Sequence, residues 1–289
     1  MANNFPIDRW QIVNNITASI VLYNNSVDQI HQCVKSLQAD LRVHVLLVDN
    51  SEKKGGYASL AGKHVEILDA PGNVGFGRGH NVVLDRLEQV GSAIHLVVNP
   101  DIVVKPGCVR ALVDTLCQRS DVVLVGPRIV SPDGQLYRSC KLLPTPWNLF
   151  ARRFAPRQLY AAADARYELH AFRYDRELQV HNLSGAFLAF RSEAFIALRG
   201  FDPRYFMYLE DVDICRRAAK LGAVMFLPQA EVVHEHGKGS YRSPRLLREH
   251  IRSALLYFNR FGWFVDTERR LLNKETLARV NAMRPLAGR

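Results

Sequence analysis

Four stations along the chain carry side chains able to do acid–base or metal chemistry: Asp49, Asp101, the cluster Glu210-Asp211-Val212-Asp213, and His234-Glu235-His236. Asp49 and Asp101 follow short apolar runs at 43–48 and 94–98. Such unbroken runs read as strands buried on both faces, as in a parallel sheet. Ligands of open α/β sheets sit beyond the carboxyl ends of such strands, so both acids would border one crevice. Pro100, with a fixed φ and no N–H, ends the ladder before Asp101. A lone acid in this position is ordinarily a turn former. Two of them with a glycine-rich turn between them favour a ligand site.

Glu210, Asp211 and Asp213 fall in the first turn of a predicted helix, where acids complement the dipole and Asp213 can pair with Arg217 at i+4. That leaves unexplained why the aromatic run Tyr205-Phe206-Met207-Tyr208 delivers two adjacent carboxylates. An acid at the edge of an apolar pocket has a raised pKa and can serve as a general base. His234 and His236 would share a face of an extended segment. A divalent cation could take one or both, the alternative being two solvated surface imidazoles. Without a third histidine nearby, a zinc hydrolase site is poorly supported.

The segment Gly72-Asn73-Val74-Gly75-Phe76-Gly77-Arg78-Gly79-His80-Asn81 invites a dinucleotide reading and fails it. The third-glycine position holds His80 in one frame and Val82 in the other, and no GxxxxGK[ST] loop occurs in the chain. What remains is a turn with freely oriented N–H groups, capped by Asn73 and Asn81, with Arg78 available to an anion. It is either a nucleotide-contacting loop or a tight β–α connection.

Strands expected at 16–23, 43–48, 65–68, 94–101 and 122–125 alternate with helices at 27–37, about 82–90 and 106–117. That order implies right-handed βαβ units and a mostly parallel sheet. Ser26 supplies a cap for the first helix. Ser131-Pro132-Asp133-Gly134 is a turn signal. Residues 142–178 lose clear periodicity and crowd basic with aromatic side chains, so they read as an irregular excursion with short helices at most. Further strands are expected at 184–190 and 224–227, with a helix from 210 to 222 between them. Ser243-Pro244 opens a long helix. It carries Arg245, Arg248 and Arg252 on one side and Leu247, Ile251, Ala254 and Phe258 on another, a basic amphipathic pattern suited to a membrane surface or to a solvated face over the core.

The chain has 289 residues, 48% of them hydrophobic and 23% charged, and a net charge of +10. A basic protein favours anionic partners. No nucleic-acid-binding module is recognisable, so nucleic acid is not expected among them. Five scattered cysteines without a CxxC pair argue for reduced thiols and a cytoplasmic setting. No run approaches the length of a membrane span.

Taken together, five motifs resemble the inverting glycosyltransferases of family 2, which have the GT-A fold. They are Ile20-Val-Leu-Tyr-Asn24, Val48-Asp-Asn-Ser51, Asn73-Val-Gly-Phe76 with Asn81, Asn99-Pro-Asp101, and the stretch from Gly200 to Asp213. The resemblance implies an α/β GT-A domain over 1–240, with a donor half at about 16–130 and an acceptor half at about 131–240. Residues 241–289 would be a C-terminal basic helical segment packed on or extending it. Asp211 would be the catalytic base, with Glu210 and Tyr208 on the acceptor side. The nucleotide-sugar would be held by Tyr23, Asn24, Asp49, Asn73, Gly75, Arg78, Asn81, Asn99 and Asp101. Mg²⁺ or Mn²⁺ would bind Asp101 and a histidine from His234 or His236, since Asn99 stands where the family has the first acid of its DxD motif. The pattern is most similar to bacterial rhamnosyltransferases of surface-polysaccharide synthesis. That similarity implies a dTDP- or UDP-sugar donor (dTDP-L-rhamnose first) and a glycan or polyprenyl-diphosphate-linked glycan acceptor. It also implies a cytoplasmic enzyme that can contact the anionic inner leaflet peripherally. A sugar-phosphate nucleotidyltransferase would need a basic, glycine-rich loop directly after the first strand, which Asn24-Asn25-Ser26 is not. A non-catalytic nucleotide-sugar-binding protein would have no need of Asp49, Asp101 and Asp211 together.

Overall fold

The computed structural model describes residues 15–235 and 244–283, with the backbone alone at 152–154. The strands β1 (Ile16–Leu22), β2 (Val43–Asp49), β3 (Val65–Asp69) and β4 (Ile94–Val98) lie in the order β3-β2-β1-β4, all parallel. Every residue of β1 and β4 is buried, as their unbroken apolar character requires. Helix α1 (Val27–Leu37) is capped by Ser26, whose hydroxyl accepts from the Gln29 N–H, and it buries Ile30, Cys33, Val34 and Leu37 against the sheet. That is the i, i+3, i+4, i+7 face of an amphipathic helix.

The glycine-rich segment is not all turn. Helix α2 (Phe76–Asn81) begins inside it, and α3 (Leu84–Gln89) follows as a separate short helix where one amphipathic helix was expected. Gly77 and Gly79 are tolerated in α2 because the backbone is pressed onto its neighbours. A Cβ at either would lie 2.7 Å from Phe201 Cβ or Val21 Cγ1 respectively.

Beyond β4 the sheet is mixed. After β5 (Ile102–Val104) and helix α4 (Cys108–Gln118), β6 (Val122–Val130) forms a hairpin with β7 (Leu136–Tyr137) through the predicted 131–134 turn. β9 (Phe187–Arg191) runs antiparallel between β4 and β6, and α7 (Ser192–Ala197) follows it. β10 (Ala223–His234) is far longer than the expected 224–227; it pairs parallel with β6 and antiparallel with β5 and with β8 (Leu178–Gln179). Pro228 cannot donate to a ladder, and the β10–β6 register slips between Leu227 and Glu231 before pairing resumes toward His234.

Residues 142–178 are more ordered than their weak periodicity predicts. Thr145 and Asn148 form a capping box for α5 (Pro146–Phe154), α6 (Arg157–Tyr167) follows, and Phe172 and Tyr174 pack on Phe226 with ring centroids 5.5 and 5.0 Å away.

The C-terminal helices α9 (Pro244–Phe261) and α10 (Thr267–Ala282) pack against α8 (Glu210–Ala218). At the seam Arg216, 2% exposed, donates two 2.7 Å bonds to Asp266, reaches Glu268, and stacks 4.2 Å over Phe261. A bidentate, stacked guanidinium is the arrangement that best offsets the cost of burying a charge.

Candidate active site

The carboxyl ends of β2, β1 and β4 form one edge. Asp49 is buried opposite Leu22 in the register, with Tyr23 and Asn24 following Leu22 into solvent. Asp49 Oδ1 accepts from the Ser51 N–H at 2.9 Å. Asn24 takes a left-handed φ of 56° and donates its N–H to Ser51 Oγ.

Asn50 holds the glycine-rich loop to this edge. Its side chain accepts from the Val74 N–H at 2.9 Å and donates to Asn73 Oδ1 and the Gly75 carbonyl. Gly75 has φ 89° and ψ −179°, a region only glycine occupies without strain, and a Cβ there would lie 2.1 Å from the Phe206 carbonyl oxygen. Arg78 projects from α2 into solvent. His80 anchors the helix from beneath through Ser19 Oγ at 2.7 Å, and Ser19 also meets His95 at 2.9 Å. Burial drives both imidazoles down, His95 to about 3, so they serve as neutral hydrogen-bonding groups.

Asn81 belongs to the scaffold rather than to the crevice. Its amide donates to the Phe201 carbonyl at 2.7 Å and accepts from the Phe201 N–H at 2.8 Å, clamping α2 to the turn that precedes α8.

Asn99, Pro100 and Asp101 bridge β4 and β5. The Asn99 N–H donates to the Ala186 carbonyl at 2.9 Å. Pairing of β5 with β10 sets His234 opposite Ile102, which brings His234 Nε2 to 3.1 Å from Asp101 Oδ1. The contact is out of hydrogen-bond alignment, and Asp101 Oδ1 is buried without a hydrogen bond. A buried carboxylate oxygen without a hydrogen bond, 3.1 Å from an imidazole nitrogen, fits Mn²⁺ or Mg²⁺ if further oxygens come from a phosphate or water. Among the described residues no group of three or more His, Cys, Asp or Glu forms a complete cage. His236, the other expected ligand, lies outside the described residues.

Asp211 lies in the first turn of α8. Its Oδ2 accepts from the Gly185 N–H at 3.1 Å and its Oδ1 from the Val212 N–H at 2.9 Å. Gly185 sits between Asp211 and the Phe76 ring, a Cβ there meeting Asp211 Cβ at 3.1 Å and Phe76 Cε1 at 3.6 Å. The base candidate therefore adjoins the glycine-rich helix on one side and, through Ala186, the Asn99 bridge on the other. Burial pushes the Asp211 carboxyl up, opposed by the two N–H groups and by Lys141. Burial and then the Asp211 charge push Glu210 up to about 8. Glu210 Oε2 is buried with no hydrogen-bond partner, whereas both Asp211 oxygens accept backbone N–H groups, so Asp211 is the better placed of the two to carry the negative charge. Tyr208 and Leu209, at φ 71° and 63°, are two successive left-handed residues immediately before the pair. Strain of that kind persists where surroundings over-determine it, as at active sites.

Asp213 turns the other way. It is fully buried and held by Arg217, Arg260 and Tyr205, which makes it structural.

Asp211, Glu210 and Tyr208 line a cavity of about 470 Å³ together with Lys141, Tyr167 and His250. The Tyr208 and His250 rings meet edge-on at 5.1 Å. The apolar flank of α9, through Leu246 and Leu247, lines this cavity as well. Asn50, Gly185, Lys141 and His250 were not singled out from the sequence. Asn50 lay inside a quoted motif; the others carry no local signal, since only the long-range packing brings them to the site.

The family profile described as "Glycosyltransferase like family 2" matches residues 15–254. The chain is 32% identical over 247 residues to the N-acetylglucosaminyl-diphospho-decaprenol L-rhamnosyltransferase of Mycobacterium tuberculosis, covering 79% of each. It is 29% identical over 103 residues to the rhamnosyltransferase WbbL of Escherichia coli, covering 35% of this chain and 36% of WbbL. Among solved structures, the mannosyltransferase PcManGT of Pyrobaculum calidifontis, in complex with GDP-Man and Mn²⁺, superimposes with a TM-score of 0.55 at 16% identity, over 94% of this chain and 76% of that one. TarS 1–349 of S. aureus, in complex with UDP, does so with a TM-score of 0.55 at 12% identity, over 93% and 72%.

Proposed function

This chain belongs to glycosyltransferase family 2, adopts the GT-A fold and is a glycosyltransferase, and from that premise we propose what it transfers and to what. The donor is dTDP-L-rhamnose, and the acceptor is a hydroxyl of a polyprenyl-diphosphate-linked glycan on the way to a cell-surface polysaccharide. Transfer is inverting and uses Mg²⁺ or Mn²⁺. The enzyme works in the cytoplasm at the inner face of the membrane. The names of the rhamnosyltransferase relatives support donor and acceptor class.

The observation that carries the reaction type is the position of Asp211, hydrogen-bonded by Gly185 and Val212, and set between the Phe76 end of the glycine-rich helix and the cavity. An acceptor hydroxyl in that cavity would give its proton to Asp211 as its oxygen attacks the anomeric carbon. In-line attack inverts that centre, and one carboxylate suffices. Glu210, with no hydrogen-bond partner at Oε2, would avoid a second like charge beside the base by keeping its proton. Asp49, Tyr23 and Asn24 would receive the nucleoside, and Asn73, Gly75, Arg78 and Asn99 would line its diphosphate and sugar. Asp101 and His234 would hold the divalent cation, which when bound neutralises charge on the departing diphosphate.

Thermal shift with dTDP-, UDP- and GDP-sugars, with and without Mn²⁺, tests the donor, and transfer to a polyprenyl-diphosphate-linked N-acetylglucosamine tests the acceptor. Mn²⁺-dependent stabilisation by dTDP-L-rhamnose with an inverted product is expected. Stabilisation by GDP-sugars alone would overturn the donor assignment.

A further inference from the structure

We propose that the ridge made by Trp147 and by Trp263, Phe264 and Val265, flanked by Arg270 and Lys274, is a docking surface for an anionic lipid bilayer. Trp147 opens α5, and the other three apolar residues form the turn between α9 and α10. Trp147 is 52% exposed, Phe264 79% and Val265 75%. Trp147, Trp263 and Phe264, from two segments distant in sequence, border one apolar groove of about 500 Å³, together with Phe150 and Ala151, and Val265 follows Phe264 in the exposed turn. A contiguous exposed apolar surface of this kind marks an interaction site.

Its charge identifies the occupant. Trp147 and Phe264 also border a second groove of about 800 Å³, lined by Arg166, Arg269, Arg270 and Lys274 and by no acidic residue. Arg269 is buried and committed to the carbonyls of Pro144, Gly262 and Trp263; Arg166, Arg270 and Lys274 are exposed, Arg270 donating to the Phe264 carbonyl at 3.4 Å. Aromatic side chains beside exposed cations suit the interface of a bilayer that carries anionic headgroups. Among the described residues no helix is long and apolar enough to cross a membrane, so contact through such a ridge would be peripheral.

The ridge adjoins the site. Leu149, between Trp147 and Phe150 on α5, lines the acceptor cavity, and Tyr167 lines both that cavity and the cationic groove. A lipid-linked acceptor lying in the bilayer would then present its glycan toward Asp211. The arginine stripe of α9 is the weaker surface: Arg248 and Arg252 lie beside Glu249, and the apolar flank of that helix faces the acceptor cavity.

The placement next to the site rests on the lipid-linked acceptor proposed above. The full chain would be sedimented with vesicles of phosphatidylcholine alone or mixed with phosphatidylglycerol, beside the double variants Phe264→Ser/Val265→Ser and Arg270→Ala/Lys274→Ala. Their melting temperatures verify the fold. The wild type is expected to bind the anionic vesicles only, and the Arg270→Ala/Lys274→Ala variant to bind about thirtyfold more weakly. Both variants should keep wild-type transfer to a water-soluble, short-chain acceptor. Failure of the wild type to bind, or undiminished binding by both variants with transfer intact, would overturn the surface. Vesicle binding that depends on these residues in a protein inactive on every polyprenyl-linked acceptor would uphold the surface and reject the acceptor assignment.

Discussion

The Phe76 N–H donates to the Phe206 carbonyl at 2.9 Å, which joins the first turn of the glycine-rich helix to the strained segment that carries the Glu210–Asp211 pair. Loop and base segment are thus tied by a backbone hydrogen bond. Gly75 permits this contact, since its φ is 89° and any Cβ would overlap the Phe206 oxygen.

Gly75→Ala should therefore separate the two. A destabilisation of about 1–3 kcal/mol is expected from the backbone conformation alone, together with weaker nucleotide binding and slower transfer. Chemical denaturation and titration with dTDP would measure both. Wild-type behaviour in each would show that the contact is dispensable.

Asp211→Asn keeps the shape and removes the base. Transfer should fall by about 10²–10⁴-fold with donor affinity nearly unchanged. Product assays under saturating donor, beside equilibrium binding, separate the two quantities. Transfer at the wild-type rate would remove Asp211 from its role.

The buried pair also sets the pH response. For a carboxyl whose folded pKa is raised, stability is lost as pH rises, because the unfolded chain ionises first. For Glu210 the window runs from its ordinary 4.5 to about 8. Glu210→Gln should accordingly gain melting temperature over the wild type at pH 8 and show the smallest difference near pH 4.5. In activity the sign reverses: Asp211 must be ionised, so the rate should drop as pH falls through its raised pKa. A pH-independent difference in melting temperature would contradict the burial argument.

Asp101→Ala and His234→Ala should each abolish the Mn²⁺-dependent part of nucleotide binding while leaving the metal-independent part. Loss of a direct ligand should exceed the about 10–100-fold typical of residues that only orient one. Calorimetric titration of dTDP with and without Mn²⁺ reads this directly, and an unchanged metal effect in both variants would place the cation elsewhere.

Asp266→Ala combined with Glu268→Ala strands the buried Arg216 guanidinium and should cost about 3–5 kcal/mol, detaching α9 and α10 from α8. Denaturant unfolding would show it. A loss below about 1 kcal/mol, the range of exposed ion pairs, would mean that the seam is held by apolar packing alone.

Much of the site was legible from residue order. The apolar runs before Asp49 and Asn99 announce buried parallel strands, and two such strands in one sheet put their carboxyl ends on one edge. The apolar spacing of Val27, Ile30, Val34 and Leu37 and the Ser26 cap are local signals. The structure keeps the cap and buries Ile30, Val34 and Leu37, while Val27 at the helix start is exposed and Cys33 takes its place on the buried face. Family membership was readable for the same reason, because its motifs are short and contiguous. Tertiary structure alone decided what depends on partners distant in the chain. Strand β9 reverses direction between β4 and β6, and β10 continues past Pro228 to carry His234 to Asp101. Asn81, a motif residue, bonds the Phe201 backbone with both ends of its amide, and Lys141, outside every quoted motif, reaches the cavity beside Asp211. Periodicity records whether a side chain is buried. Which neighbour it meets there is settled by strand register and long-range packing, and those depend on the whole chain at once.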